Sequence, residues 1–393
     1  MSHYRHRISE GGGKKYIVII LDIVLGALLI GMLYTENNQE KAQEENLREL
    51  AQKQREKENE IEKSISMLSQ TMSDYMPGIV CWGDSLTAGA GSNGNPYPLV
   101  LDNLIQESIT KEFNRINSQV LTRAQRLTNI PVINMGVGGE NTVTICGRNG
   151  SIPFVVSEDM TIPAECQAIQ IHIKSSIGIG ASPLRQGAAG MDYVIIGGIK
   201  GKIEIMQESY TSPEYSYVFT REKPGGSVHI KAGTEIITSG SENYLNYIPI
   251  IFIGTNGGYS DYQDLIAQQR GIINHQKGNP KGRFIVVGLH YGKSAEEFEM
   301  MEAILKEEYG NQFINLREYL CTNAMKDAGL TPTEKDKKAM ANGQTPYSLL
   351  SDEVHFNEAG YKVLGELIYK QMEQLGYFSE IKESIEQTIS IMK

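Results

Sequence analysis

The chain has 393 residues, 40% hydrophobic and 21% charged, which describes a globular protein with room for two ordinary domains and argues against a disordered one. Its 37 Lys and Arg against 47 Asp and Glu give a net charge of -10, and no dense basic patch lies beyond the extreme N-terminus, so nucleic acid is not an expected partner. Cys81, Cys146, Cys166 and Cys321 fit no C-x-x-C signature, so no metal site is expected. Cys146 and Cys166 flank a Gly- and Pro-containing stretch and could be joined in an oxidising compartment, whereas Cys81 and Cys321 read as buried small hydrophobes.

Residues 1–15 form a basic tail with Arg5, Arg7, Lys14 and Lys15. Residues 16–34 are almost uninterruptedly apolar and long enough to cross a bilayer as a helix. Asp22 is the exception. Its cost of about 2.5–3.5 kcal/mol at a helix centre is outweighed by the Leu, Ile and Val residues at about 0.3–0.6 kcal/mol each. No small-residue cleavage site or lipidation cysteine follows, which predicts an uncleaved signal anchor with the basic flank cytoplasmic and everything after Thr35 outside. The expected location is therefore the cell membrane, single-pass, with the globular part extracytoplasmic.

Residues 35–76 are dominated by Glu, Lys, Gln, Arg and Asn and predict a continuous solvated helix, a membrane-proximal stalk. Leu47, Leu50, Ile61, Ile65, Leu68 and Met72 fall near a 3.5-residue repeat that Gln54 and Lys57 interrupt, so self-association through the stalk is open.

From Pro77 the pattern becomes α/β. The apolar run 79–82 predicts a buried strand that stops at Gly83, Asp84 and Ser85, placing a hydroxyl at a strand's carboxyl end. A helix is expected over 99–116, and further strands over 130–134, 247–253, 283–289 and 313–316. Helices are expected over 262–275, 295–309 and 358–375. Strands alternating with helices predict a parallel sheet covered on both faces, with the ligand beyond the carboxyl ends of the strands. Ser85, Gly139 and Asn256 all fall there. Asp352 and His355 are three residues apart, close enough for a carboxylate to fix one imidazole nitrogen and leave the other as a base for a serine hydroxyl. His290 reads as a solvent-edge or packing residue, and His172 and His229 receive no role.

Taken together, GDSL at Ser85, NMGVGGENT at 134–142, GTN at 254–256 and DEVH at 352–355 resemble the four blocks of the SGNH, or GDSL, hydrolase family. The resemblance covers about 79–378, less one insertion. It implies a flavodoxin-like three-layer fold and a serine esterase, lipase, carbohydrate O-acetylesterase or acyltransferase that needs no cofactor. Carried over by position, Ser85 is the nucleophile, His355 the general base and Asp352 its orienting partner. The oxyanion donors are the Ser85 N–H, the Gly139 N–H and the Asn256 amide. Counting from Asn134 selects Gly139 from Gly136, Gly138 and Gly139. Gly257 stands where many relatives have Asp, a departure expected to loosen that loop.

Between these blocks, residues 143–246 predict an inserted all-β domain, a sandwich or barrel. Strand-like alternation at 169–174, 202–206, 216–220 and 227–231 is separated by Gly- and Pro-containing turns. The insertion divides the hydrolase domain into 77–142 and 247–393. Residues 327–350 could be a lid or a solvated connection, and Ile381, Ile385 and Ile389 predict a last amphipathic helix that packs on the domain or on a partner. Some cell-wall polysaccharide O-acetylesterases of the family resemble this plan. The expected function is thus a membrane-anchored extracytoplasmic esterase removing acetyl or other small acyl groups from cell-envelope or external carbohydrate. An acyltransferase on the same triad, or a glycan-binding surface protein using the fold as scaffold, is the alternative. No long apolar lid speaks for a lipase.

Overall fold

The computed structural model describes residues 39–113, 129–179, 184, 189–209, 212 and 214–392. The expected basic tail at 1–15 and membrane span at 16–34 lie outside the described residues. Among the described residues no helix is long and apolar enough to cross a membrane. The chain divides into two compact units, Met1–Ser64 and Ile65–Lys393.

Helix α1, Gln39–Tyr75, runs without a break through a sequence free of Gly and Pro. Over 45–64 its side chains are mostly solvent-exposed, Leu50 included. In the second unit Ile65, Leu68 and Met72 are buried. Half of the apolar repeat that suggested a stalk seam therefore belongs to the core of the larger unit.

That unit opens with β1 (Ile79–Gly83), the short helix α2 (Ser85–Ala88), α3 (Tyr97–Phe113), β2 (Val132–Gly136) and α4 (Thr142–Asn149). An antiparallel region follows: β3 (Phe154–Val156), β4 (Met160–Ile162), β5 (Ile169–Ile171), β6 (Ile173–Ser175), β7 (Val194–Ile196), β8 (Ile199–Gln207), β9 (Tyr215–Arg221), β10 (Val228–Ile230) and β11 (Glu235–Thr238). Helix α5 (Ser239–Asn243) leads into β12 (Ile248–Phe252), α6 (Tyr262–His275), β13 (Ile285–Val287), α7 (Ala295–Tyr309), β14 (Phe313–Ile314) and α8 (Leu316–Thr322). The chain then continues through α9 (Glu334–Ala341), α10 (Glu358–Gln374) and α11 (Ser379–Met392).

Five strands form one parallel sheet in the order β14-β13-β12-β1-β2. Numbered within that sheet the order is 2-1-3-4-5, the doubly wound order whose switch point lies between the first and third strands, here β1 and β12. β1 and β12 are buried along their whole length, as expected for central strands with helices on both faces. Helix α3 packs with α10 and α11, while α4 packs with α6 and α6 with α7. Ile381, Ile385 and Ile389 of α11 are buried on the domain, and Arg283 clamps Glu380 with two bonds of 2.9 and 2.7 Å.

The second sheet is antiparallel, seven strands in the order β5-β9-β8-β7-β11-β3-β6, with β10 and β4 as a separate two-stranded ribbon. Phe154, Ile196, Ile203, Phe219 and Ile236 of the sheet share one core with Ile162 and Ile230 of the ribbon. The stretch that read as all-β begins with a helix instead. Asn141 caps α4 by accepting from Thr144 N–H, and Gly150 ends it at φ 93°. Cys146, on that helix, is buried, Cys166 is exposed, and both are free thiols, so the bridge between them is not formed.

Candidate active site

β1 ends at Gly83, and Asp84 then turns the chain by accepting from Leu86 N–H at 2.9 Å, which makes Ser85 the first residue of α2. Two glycines permit the close packing around it. A Cβ on Gly83 would lie 2.0 Å from Thr87 Oγ1, and one on Gly136, at the end of β2, 2.0 Å from Ala88 N.

Ser85 Oγ lies 2.9 Å from His355 Nε2, although 270 residues separate them. His355 Nδ1 lies 2.8 Å from Asp352 Oδ2, and Asp352 Oδ1 accepts from the N–H groups of Val354 at 2.8 Å and His355 at 2.7 Å. Partial burial would raise the Asp352 carboxyl, but these bonds outweigh it and hold the group down at about 2. An ionised carboxylate only accepts, so Nδ1 carries the ring proton and Nε2 is left to accept from the serine hydroxyl.

The NMGVGGENT loop passes beside this serine: a Cβ on Gly138 would come 3.9 Å from Ser85 Cβ. Gly139 adopts φ 78°, a conformation that favours glycine. Among the described residues neither the Ser85 N–H nor the Gly139 N–H has an acceptor. Asn256 donates one amide hydrogen to Glu140 O at 3.0 Å, leaving the other for a ligand. Gly257 O accepts from Thr142 N–H at 3.0 Å and its own N–H reaches Gly254 O at 3.1 Å, which ties the Asn256 loop to the start of α4. The five sequence-predicted positions, with Ser85 serving both as nucleophile and as donor, thus lie on four loops at one end of the parallel sheet, around its switch point.

No protein-family model matches the chain, and no curated protein matches it. One similar solved structure is described as "Peptidoglycan O-acetylesterase in action, 5 min"; it is 12% identical, with a TM-score of 0.27, and the match covers 79% of this chain and 95% of that one. A likeness that faint carries no weight beside the geometry.

Three groups to which the sequence assigns no catalytic role support the site. Arg148, fully buried on α4, binds Glu140 through Nε at 2.7 Å and Nη2 at 2.6 Å. The same guanidinium donates to Met135 O at 3.0 Å and to Ala189 O, on the inserted region, at 2.6 Å. Burial pushes the Glu140 carboxyl up, against the pull of Arg148. One cation therefore ties the glycine loop to the insertion. The lone Arg in an otherwise uncharged TVTICGRN was the available signal, and it names no partner.

His290, three residues beyond β13, is buried and stacks on Phe356 with ring centroids 4.4 Å apart. Its Nδ1 meets Thr345 Oγ1 at 3.0 Å, and burial, helped by the charge of His355, lowers it to about 3. A neutral imidazole thus underlies the loop that carries His355; this is the packing role rather than the solvent-edge one. His172 and His229 lie on the insertion near Glu158 and Asp159.

Asp84 is the third. Its Oδ2 makes no hydrogen bond, although the Thr255 side chain lies near enough to favour the charge, and burial raises the carboxyl to about 6. An acid whose folded pKa is raised destabilises the fold at pH above about 6, and that cost disappears as pH falls to the unfolded value near 3.8. Asp84→Asn retains the capping oxygen. It is expected to stabilise the protein at pH 8 by on the order of 2–3 kcal/mol and to make little difference at pH 4, as read by urea denaturation at both pH values. Equal stability of the two proteins at pH 8 would contradict the assignment.

Proposed function

We propose that the protein is a serine esterase of the SGNH type, hydrolysing acetyl or other small acyl esters on cell-envelope or external carbohydrate. The observation that carries this reading is the continuous relay from Ser85 Oγ through His355 to Asp352, with contacts of 2.9 and 2.8 Å. Ser85 attacks the ester carbonyl as its proton passes to His355 Nε2, and the tetrahedral oxyanion faces the Ser85 and Gly139 N–H groups and the free Asn256 amide hydrogen. His355 returns the proton to the departing alcohol oxygen, leaving the acyl group on Ser85. Water, deprotonated by His355, then attacks that ester, and the carboxylic acid leaves as Ser85 regains its proton. Asp352 keeps the imidazole in the required tautomer throughout.

The enzyme is proposed to be anchored by residues 16–34, with the site on the extracytoplasmic side and α1 as the spacer. The full-length protein is expected to hydrolyse 4-nitrophenyl acetate faster than its longer-chain homologues and to release acetate from an acetylated glycan. Hydrolysis that increases with acyl length up to octanoate would contradict the small-acyl reading. Transfer of acetate to an added sugar in preference to water would move the assignment to an acyltransferase.

A further inference from the structure

Beside the relay, over His290, opens a cleft of about 510 Å³. Its volume falls within the roughly 300–1,000 Å³ of small-molecule sites. Tyr291, Lys293, Asn342, Gln344, Tyr347 and Glu353 are among the side chains that line it. Glu353 lies between Asp352 and His355, so one wall is the loop that carries the base. Lys293 sits 5.5 Å from the Tyr259 ring and 5.4 Å from that of Tyr262, which joins another wall to the loop that carries Asn256. The remaining wall is the segment around α9. It is fixed by Asp336, which caps α9 from within a Thr333 capping box and accepts from Ser348 N–H at 2.9 Å and Ser348 Oγ at 2.7 Å.

Position decides which part of an ester such a cleft would receive. The carbonyl oxygen must face Gly139 and Asn256, whereas the alcohol oxygen must lie against His355 Nε2 to take its proton. The side of the ester that continues past His355 is therefore the alcohol side, and the His355 loop forms a wall of the cleft. The lining chemistry is that of a hydroxylated, uncharged ligand. Tyr291 and Tyr347 are 40% and 45% exposed and present amphipathic rings, the Tyr347 ring with Lys335 Nζ over one face at 3.5 Å; Asn342 and Gln344 are exposed amides, and among the lining residues Lys293 and Glu353 balance.

We propose that this cleft is the alcohol-side subsite and holds a neutral oligosaccharide, the sugar units that flank the acylated one. The assignment rests on the esterase reading above. Sugar rings stack on Tyr291 and Tyr347, and neighbouring hydroxyl pairs are bridged by Asn342 and Gln344. Residues 327–350, whose sequence left a lid and a connection open, thereby form part of the substrate wall.

The test compares full-length wild type with Tyr291→Ala, Tyr347→Ala and the double variant on 4-nitrophenyl acetate and on acetylated xylotetraose and chitotetraose. In parallel, calorimetric titration of the non-turning Ser85→Ala protein with both tetrasaccharides reads binding alone. The double variant is expected to lower the ratio of kcat/KM on a tetrasaccharide to that on the aryl acetate by about tenfold, mostly through KM. Ser85→Ala should bind a tetrasaccharide, and Ser85→Ala carrying both Tyr replacements should bind it about tenfold more weakly. An unchanged ratio, or turnover of the aryl acetate with neither hydrolysis nor binding of either tetrasaccharide, overturns the subsite and leaves the esterase standing. Binding of a tetrasaccharide with no hydrolysis of any ester by wild type overturns the esterase instead.

Discussion

Ser85→Ala is expected to fold normally and to lose about 10⁵–10⁶-fold in kcat on any ester substrate. The nucleophile of a triad acts as one unit with its base, so removing it costs nearly everything the unit supplies, and the oxyanion donors alone retain about 10³–10⁴ over water. The replacement takes away one hydroxyl and one hydrogen bond, worth about 0.5–1.5 kcal/mol, against a fold stability of about 5–15 kcal/mol. Initial rates on 4-nitrophenyl acetate and a urea transition on the same sample separate the two effects. A fall of less than about a hundredfold in kcat, with the fold intact, would leave Ser85 a bystander.

Arg148→Met is expected to destabilise the protein by about 3–5 kcal/mol, because it leaves the Glu140 carboxylate buried with no counter-charge. Glu140 then responds by holding a proton to higher pH. Its folded pKa rises further above the unfolded value, so the penalty is full at alkaline pH and shrinks as pH falls below that raised value. Urea denaturation at pH 8 and pH 5 should show the larger loss at pH 8. Glu140→Gln added to Arg148→Met should recover part of it, since the amide carries no charge to bury. A single-variant loss below about 1 kcal/mol at pH 8 would mean that water reaches the pair. Activity should fall as well, because Arg148 holds Met135 O at one end of the glycine loop, and Glu140 O accepts from Asn256 at the other.

Much of this site was legible because the groups that carry the chemistry lie at strand ends, where sequence pattern is strongest. The apolar runs of β1 and β12 are buried along their full length, and each stops at a glycine turn that bears a site residue. The three-residue spacing of Asp352 and His355 likewise contains its own geometry, since Asp352 bonds both the backbone and the ring of His355. Helix ends written by caps were equally readable: α6 and α7 start where Asp261 and Ser294 accept from the third residue on. What could not be read is what long-range packing alone brings together. Arg148 and Glu140 are eight residues apart, but nothing in their spacing shows that both are buried or that the guanidinium also reaches Ala189. The apolar repeat of α1 has the same spacing whether Ile65, Leu68 and Met72 face a second helix or the domain core, and here they are buried in the larger unit. The cleft over His290 is assembled from two stretches, 290–298 and 342–353, that are more than 40 residues apart, a juxtaposition that periodicity does not encode.

The central claim is that His355 activates Ser85 as a nucleophile, and covalent labelling tests it most directly. Full-length protein is incubated with a fluorophosphonate, digested and mapped by mass spectrometry. The account predicts a single phosphonyl adduct on Ser85, formed rapidly in wild type, absent in Ser85→Ala and slowed about 10³-fold or more in His355→Ala. An unlabelled Ser85 in protein that is folded, or labelling at the same rate without His355, would contradict it.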